Sequence, residues 1–328
     1  MLDYVLICTG CFVLSLSLIV ALRFLALRFK FLVVKDVALV GGIGVSFAVM
    51  AASLWAGYVL GGDLRWISVV VGTSVLMLLF GVWDDFKEQG VAQKFLFQAI
   101  CAGVLIAFGI KTHIVYFGLW GNAVVSFLWI LGVTNAFNLL DIADGLSAGV
   151  AFISTAAFFI VSMVHPNLEV QIMSMVLCAA LAGFWIFNFP PAKIYLGNAG
   201  SHFLGFMLSA LALTISYASV ERPLALISPI IMLWLPLLET AVLIYFRLKK
   251  GILPFYKSRD HIALKLVSGG FSHKGALFLM LGLALFFAWA GILMSVVDGC
   301  MSVLILLAVL LASGVMFVFL RRMASDVT

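Results

Sequence analysis

Apolar stretches of about 18 or more residues recur from one end of this sequence to the other, and that feature limits the fold more than any other. In hydrocarbon a backbone must satisfy its own N–H and C=O groups, which leaves helices as the spanning structure for runs this long. Of the 328 residues, 65% are hydrophobic and 10% charged, more apolar side chain than a water-facing surface accommodates. The expected fold is all-α, a polytopic integral membrane protein. Marking the runs gives about 11 transmembrane helices, near 3–22, 37–60, 66–82, 95–110, 124–140, 146–164, 168–187, 203–219, 224–246, 275–297 and 300–320. The opening "MLDYVLICTGCFVLSLSLIV" carries Asp3 where a signal peptide has basic residues, so it reads as a retained first helix. The five cysteines, Cys8, Cys11, Cys101, Cys178 and Cys300, match no metal spacing and read as buried thiols.

Charge sets the expected orientation. The connections 23–36, 83–94, 141–145, 188–202 and 247–274, with the tail from Arg321, hold sixteen of the nineteen Lys and Arg; Arg65, Lys111 and Arg222 are the other three. Positive charge marks the cytoplasmic side, so the N-terminus is expected outside and the C-terminus in the cytoplasm. No low-complexity linker or internal repeat appears, which predicts one membrane domain over 1–328. Its working loops fall at about 83–94, 135–147, 188–202 and 247–274.

Unusual polar residues collect on that same side. In "FGVWDDFKEQGVAQKFLFQ", Asp84 and Asp85 end the third helix, while Lys94 and Gln98 open the fourth. Adjacent carboxylates repel, so the pair suits a cation, a shared proton or a phosphate held through a metal. A solvated loop with Asp84 pairing Lys87 is the plainer alternative. In "NAFNLLDIADGL", Asn135, Asn138, Asp141 and Asp144 are spaced by three. Each such step falls about 60° short of a full turn, so a straight helix cannot align all four. The helix is therefore expected to end near Asp141, with a turn through Gly145 bringing Asp144 back towards it. Capping by Asn and Asp would account for one or two of the four. In "FNFPPAKIYLGNAGSH", two prolines precede Gly197, Gly200 and Ser201, which open the eighth helix. Free N–H groups there suit an anion, Tyr195 suits a planar base, and an ordinary tight turn fits equally well. The basic loop "RLKKGILPFYKSRDHIALKL" contains Arg259 and places His261 one turn before Lys265; it fits phosphate or anionic lipid headgroups. Glu239, Arg23 and Lys94 are expected near helix ends, and His202 and His273 read as structural. Few ionisable groups are left for the bilayer middle, which favours boundary chemistry over conduction.

Taken in order, "GGIGV" (41–45), "DD" (84–85), "KFLFQ" (94–98), "NAFNLLDIADGLSAG" (135–149), "FNFPPAKIYLGNAGSHFLG" (187–205) and "RDHIALKL" (259–266) give the chain a family likeness. It resembles the polyprenyl-phosphate N-acetylhexosamine-1-phosphate transferases, which are glycosyltransferase family 4-like. The resemblance implies transfer of a HexNAc-1-phosphate from a UDP-sugar to a polyprenyl (undecaprenyl) phosphate in the bilayer. UMP would leave with Mg²⁺ assistance, Mn²⁺ being a substitute, and the product would start a lipid-linked cell-surface glycan.

Carried over by position, Asp84, Asp85, Asp141 and His261 are the catalytic candidates. Lys94, Asn135, Asn138, Asp144, Tyr195, Gly200, Ser201 and Arg259 are the substrate-binding ones, with Asp144 and Tyr195 on the uracil side. Asn198 and Asp85 are the metal candidates. No nucleic-acid partner is expected, and a homodimer is compatible with the pattern. Three departures stand out: Asn198 replaces the family's aspartate, His261 is followed by "IAL" rather than further histidines, and "VVKDVALV" is plain where the family is proline-rich and basic. They point towards the O-antigen and teichoic-acid initiating enzymes rather than the peptidoglycan one. A transporter or lipid-binding protein on the same scaffold, or a relative with weakened catalysis, is the alternative reading.

Overall fold

The computed structural model describes residues 2–215, 222–253 and 258–325. Positions 216–219 of the expected eighth span and 254–257 of the basic loop lie outside the described residues. Contacts divide the chain into two compact units, Met1–Ile215 and Ser216–Thr328.

The first unit contains α1 (Leu2–Phe29), a hairpin of β1 (Val33–Val34) and β2 (Val37–Ala38), and α2 (Gly41–Leu60), α3 (Leu64–Phe86) and α4 (Val91–Ala107). Four more helices follow: α5 (Gly118–Leu140), α6 (Leu146–Val164), α7 (Leu168–Asn188) and α8 (Gly197–Thr214). The second unit holds α9 (Ser228–Met232), α10 (Trp234–Lys249), α11 (Ile262–Ser268), α12 (His273–Val296) and α13 (Gly299–Ser325). Among the described residues eight helices are long and apolar enough to cross a membrane, or nine if the bent pair α9–α10 is one span. Exposed Leu, Val and Phe side chains along α1 and α13 suit a lipid surround.

Eleven spans were expected, and among the described residues eight or nine helices meet the length and hydropathy of a span. The fourth helix, α4, has only 17 residues, and α8 is not among the eight. The ninth expected span breaks at Leu233, where its two parts bend by 72°. The second expected span starts late, at Gly41, because 33–38 forms the hairpin instead. Lys35 and Asp36 at its tip have φ of 49° and 63°, as a two-residue hairpin loop matching strand twist requires.

The centre of the first unit is α8, with 15 of its 18 residues buried. It packs against α2, α3, α5, α6 and α7, and close approach is possible because the touching residues are small. A Cβ built on Gly42 of α2 would lie 2.3 Å from the Cα of Gly200, and one on Gly81 of α3 would lie 2.5 Å from the Cα of Ala199. These glycines explain "GGIGV" and the "FGVWDD" lead-in as packing requirements: they bring α2 and α3 onto the backbone of α8. Further out, Gly72 on α3 faces open space.

Gly81→Ala is accordingly expected to cost about 1–3 kcal/mol through overpacking against backbone, whereas Gly72→Ala leaves stability unchanged or slightly raised. Thermal unfolding of the two purified variants in one detergent tests this, and equal midpoints would contradict the packing account.

Candidate active site

Asp84 and Asp85 occupy the last turn of α3 and take different partners. Asp84 is buried; its Oδ2 lies 2.7 Å from Lys94 Nζ, and its Oδ1 accepts the Gln89 N–H at 2.7 Å. The ion pair thus forms with Lys94 across the 87–90 turn, not with Lys87. Asp85 crosses to the next element. Its Oδ1 and Oδ2 accept the backbone N–H groups of Asn198 and Ala199, at 2.8 and 3.0 Å. A carboxylate at a helix N-terminus satisfies orphan donors and complements the helix dipole. The N–H groups of 198 and 199, expected to be open to an anion, are therefore occupied by the chain's own carboxylate.

The rest of the polar layer is built around that contact. Asn138 Nδ2 donates to Asn198 Oδ1 and to Ser201 Oγ, each at 3.0 Å. Ser201 and Gly200 are buried, Gly200 against Gly42, so neither offers an exposed phosphate contact. Asn135 faces another way: it exchanges amide hydrogen bonds with Gln98 at 2.7 and 3.3 Å, fastening α5 to α4. His202 is fully buried, its ring 6.1 Å from that of Phe80.

Asp141 is where the spacing argument put the helix end. It is the C-cap of α5, with φ −80° and ψ 59°. The "DIADG" turn follows, and Gly145 has φ 74°. Asn188 and Trp185, unremarked in the sequence, hold this turn: Asn188 Oδ1 accepts the Gly145 N–H at 3.0 Å, and Trp185 Nε1 donates to the Gly145 carbonyl at 2.9 Å. Asn188 Nδ2 also donates to the Ile194 carbonyl at 2.9 Å, and Asp144 Oδ2 accepts the Ala192 N–H at 2.9 Å. Both contacts lash the turn to the 190–196 segment. The hairpin holds the other side of that segment: the Tyr195 N–H donates to the Ala38 carbonyl at 2.8 Å, and the Gly41 N–H donates to the Tyr195 carbonyl at 3.0 Å. Tyr195 is half-buried; burial and the Asp144 carboxylate raise its hydroxyl pKa.

Burial, with the charges of Asp85 and Asp144, pushes the Asp141 carboxyl up to about 7. Three acidic groups thus share one field, and among the described residues Asp141 has no ion pair or hydrogen bond to anchor its side chain. Among the described residues no set of three or more His, Cys, Asp or Glu closes around a metal-sized point. That suits Mg²⁺ better than a caged metal, because Mg²⁺ is usually held by one or two carboxylates, water and substrate phosphates. Asp85 and Asn198 keep lone pairs for such an ion, and Asp141 has the charge that most needs one.

The second unit has its own cluster. His261 Nδ1 lies 2.9 Å from Glu239 Oε1, and both Glu239 oxygens accept the Ile262 N–H at 3.2 Å. Asp260 pairs with Lys250 at 2.7 Å and Lys265 at 3.2 Å. Burial alone would raise Asp260, but the two lysines outweigh it and hold its pKa below the usual range. Arg259 is exposed. Sequence reading placed Glu239 near a helix end; it instead lies well inside the broken pair, buried in α10.

A carboxyl with a raised pKa binds its proton more tightly folded than unfolded. Asp141 therefore contributes full stability below about pH 4 and loses it as pH rises through about 7. Without divalent metal, Asp141→Asn is expected to unfold later than the parent at pH 8, by on the order of 1–2 kcal/mol after allowance for solvent screening. The difference should vanish near pH 4. Unfolding midpoints across pH in EDTA check it; a variant less stable at pH 8 would contradict the raised carboxyl.

Comparison with known proteins places this arrangement. Residues 66–216 match the model of glycosyl transferase family 4, a stretch that contains every site residue of the first unit. The chain is 31% identical over 244 residues to the "Probable undecaprenyl-phosphate N-acetylglucosaminyl 1-phosphate transferase" of Bacillus subtilis (strain 168), covering 71% of this chain and 66% of the relative. It is 28% identical over 264 residues to the "Undecaprenyl-phosphate alpha-N-acetylglucosaminyl 1-phosphate transferase" of Escherichia coli O157:H7, 74% of this chain and 71% of that one. With the "Phospho-N-acetylmuramoyl-pentapeptide-transferase" of Limosilactobacillus fermentum it shares 34% over 190 residues, 52% and 58% of the two chains. The likeness to the N-acetylglucosaminyl enzymes thus extends over more of the molecule, although the chain spans just under two thirds of the Bacillus protein. The chain is a multi-pass membrane protein that belongs to glycosyl transferase family 4.

Proposed function

We propose that this protein is a single transferase domain that moves a HexNAc-1-phosphate from a UDP-N-acetylhexosamine to undecaprenyl phosphate, starting a lipid-linked surface glycan on the cytoplasmic face of the cell membrane. The observation that carries the reading is the uncompensated Asp141 carboxyl beside Asp85 and Asp144, at a helix end, in a chain whose relatives bear transferase names. A phosphate oxygen of the lipid attacks the sugar-linked β-phosphorus. The bond from that phosphorus to the bridging oxygen breaks, and UMP leaves with the oxygen and its electron pair.

Both reactants are anions, so the site must offset repulsion before chemistry can begin. Mg²⁺, held at Asp85, Asn198 and Asp141, would supply counter-charge for the diphosphate. Lys94 is the cation for the lipid phosphate; Asp84 holds its ammonium in place at 2.7 Å until a phosphate competes for it. Asp144 and Tyr195 form the uracil side, with the hairpin and Asn188 fixing the loop that bears them. Asn138 orients Asn198 and Ser201, while Asn135 acts through the α4–α5 joint. His261 and Arg259 serve the phosphate groups.

Purified protein in lipid nanodiscs is expected to release UMP from at least one UDP-N-acetylhexosamine, and only when undecaprenyl phosphate and Mg²⁺ are both present. Asp141→Asn should lower that rate at least about 100-fold, as loss of a group stabilising transition-state charge does. A broad UDP-sugar panel giving no UMP while UDP still binds would overturn the reading.

The asparagine at 198 carries a second expectation. It ligates without charge, so Asn198→Asp should lower the Mg²⁺ concentration for half-maximal UMP release several-fold. An unchanged Mg²⁺ titration would remove residue 198 from the metal's surroundings.

A further inference from the structure

A buried carboxylate in an apolar helix is costly, and where one persists its partner identifies its use. Glu239 is 1% exposed and stands six residues into α10, just beyond the 72° break at Leu233. Its partner is His261, itself only 7% exposed. The same carboxylate accepts the Ile262 N–H with both oxygens, so it fixes the backbone that carries the ring as well as the ring. Once Nδ1 is engaged, tautomer and orientation follow, and Nε2 is the nitrogen left to meet a ligand. The surrounding charges have other occupations: Asp260 is bracketed by Lys250 and Lys265, Lys265 also lies 3.9 Å from the Phe246 ring, and Arg247 donates to Ser258 Oγ at 3.0 Å. Arg247 is the nearby cation sharing the field of Glu239 and Asp260.

We propose that Glu239 is a positioning residue for the transfer reaction, holding His261 through Nδ1 so that Nε2 is presented to a phosphate of the substrate. The proposal rests on the transferase reading and gives a role to a residue that touches no reacting atom. A helix cap alone would explain the Ile262 contact but not the 2.9 Å contact to the ring.

The experiment is a double-mutant cycle on UMP release. Glu239→Gln keeps an oxygen for the Ile262 N–H and removes the charge; it should lower kcat about 10–100-fold, as loss of an orienting partner does, with KM for the UDP-sugar within about twofold. Glu239→Asp should recover part of the loss. In a His261→Ala background Glu239→Gln should cost nothing more, because the ring it served is gone. Losses that multiply, or full activity in His261→Ala, overturn the proposal.

Carbethoxylation of His261 at pH 6, followed by peptide mass, reads the same contact without turnover. Glu239 occupies Nδ1, so Glu239→Ala, which leaves both ring nitrogens open to the reagent, should react several-fold faster than the parent; equal rates overturn the proposal. If no UDP-sugar yields UMP, the transferase reading fails, and these rates still decide whether Glu239 governs His261.

Discussion

The first unit hangs on one hydrogen-bonded contact: the Asp85 carboxylate closing the N-terminus of α8. Two backbone N–H groups that α8 cannot satisfy internally are met by a charge on the last turn of α3, and the helix dipole strengthens the bond. The contact works only if the two backbones touch, which is what Gly81 against Ala199 provides. Gly197, with φ 77°, supplies the turn, and a Cβ there would lie 2.7 Å from Asp85 Oδ2. Glycine placement and acid placement are therefore one requirement seen from two sides. Asn138, Asn198 and Ser201 then take their positions from a helix start already pinned in space.

This arrangement separates four acids that look alike in sequence. Asp84 is paired with Lys94, Asp85 accepts two backbone N–H groups, and Asp144 is tied to the Ala192 N–H. Asp141 receives no such contact and takes the field of two of its neighbours. Charge left over in this way is destabilising on its own and is offset when a cation sits beside it. The acids do not share a role; three hold the frame, and the frame leaves the fourth under tension.

Legibility in the sequence followed the range of the interactions. The end of α5 at Asp141 was readable because three-residue spacing drifts around a helix by simple geometry, and the turn through Gly145 followed. The helices were readable because hydrophobic length is a local property, although length alone does not tell α4, α8 and the broken α9–α10 pair from the eight longer helices. The Asp84–Lys94 pair skipped the nearer Lys87 because a turn, not a helical face, sets the geometry. Asn135 and Gln98 lie 37 residues apart, and nothing local shows that their amides pair. The hairpin was missed because its tip is Lys-Asp rather than a glycine dipeptide, so the left-handed conformation was hidden. Asn188 lay inside a motif already noticed and Trp185 just before it, but their task, holding another loop's glycine, is visible only in three dimensions.

Burial of Glu239 follows the same logic as that of Asp85. Each is a carboxylate on an apolar helix, Asp85 in the last turn of α3 and Glu239 within α10, that spends its oxygens on the start of another helix, α8 for Asp85 and α11 for Glu239. In both places the acid is tolerated because backbone donors meet it. The difference lies in the third partner. Asp85 keeps a free lone pair on each oxygen, which suits a cation, whereas Glu239 gives its remaining capacity to an imidazole, which suits an anion beyond the ring. On the transferase reading proposed above, the first cap would serve a cation and the second an anion.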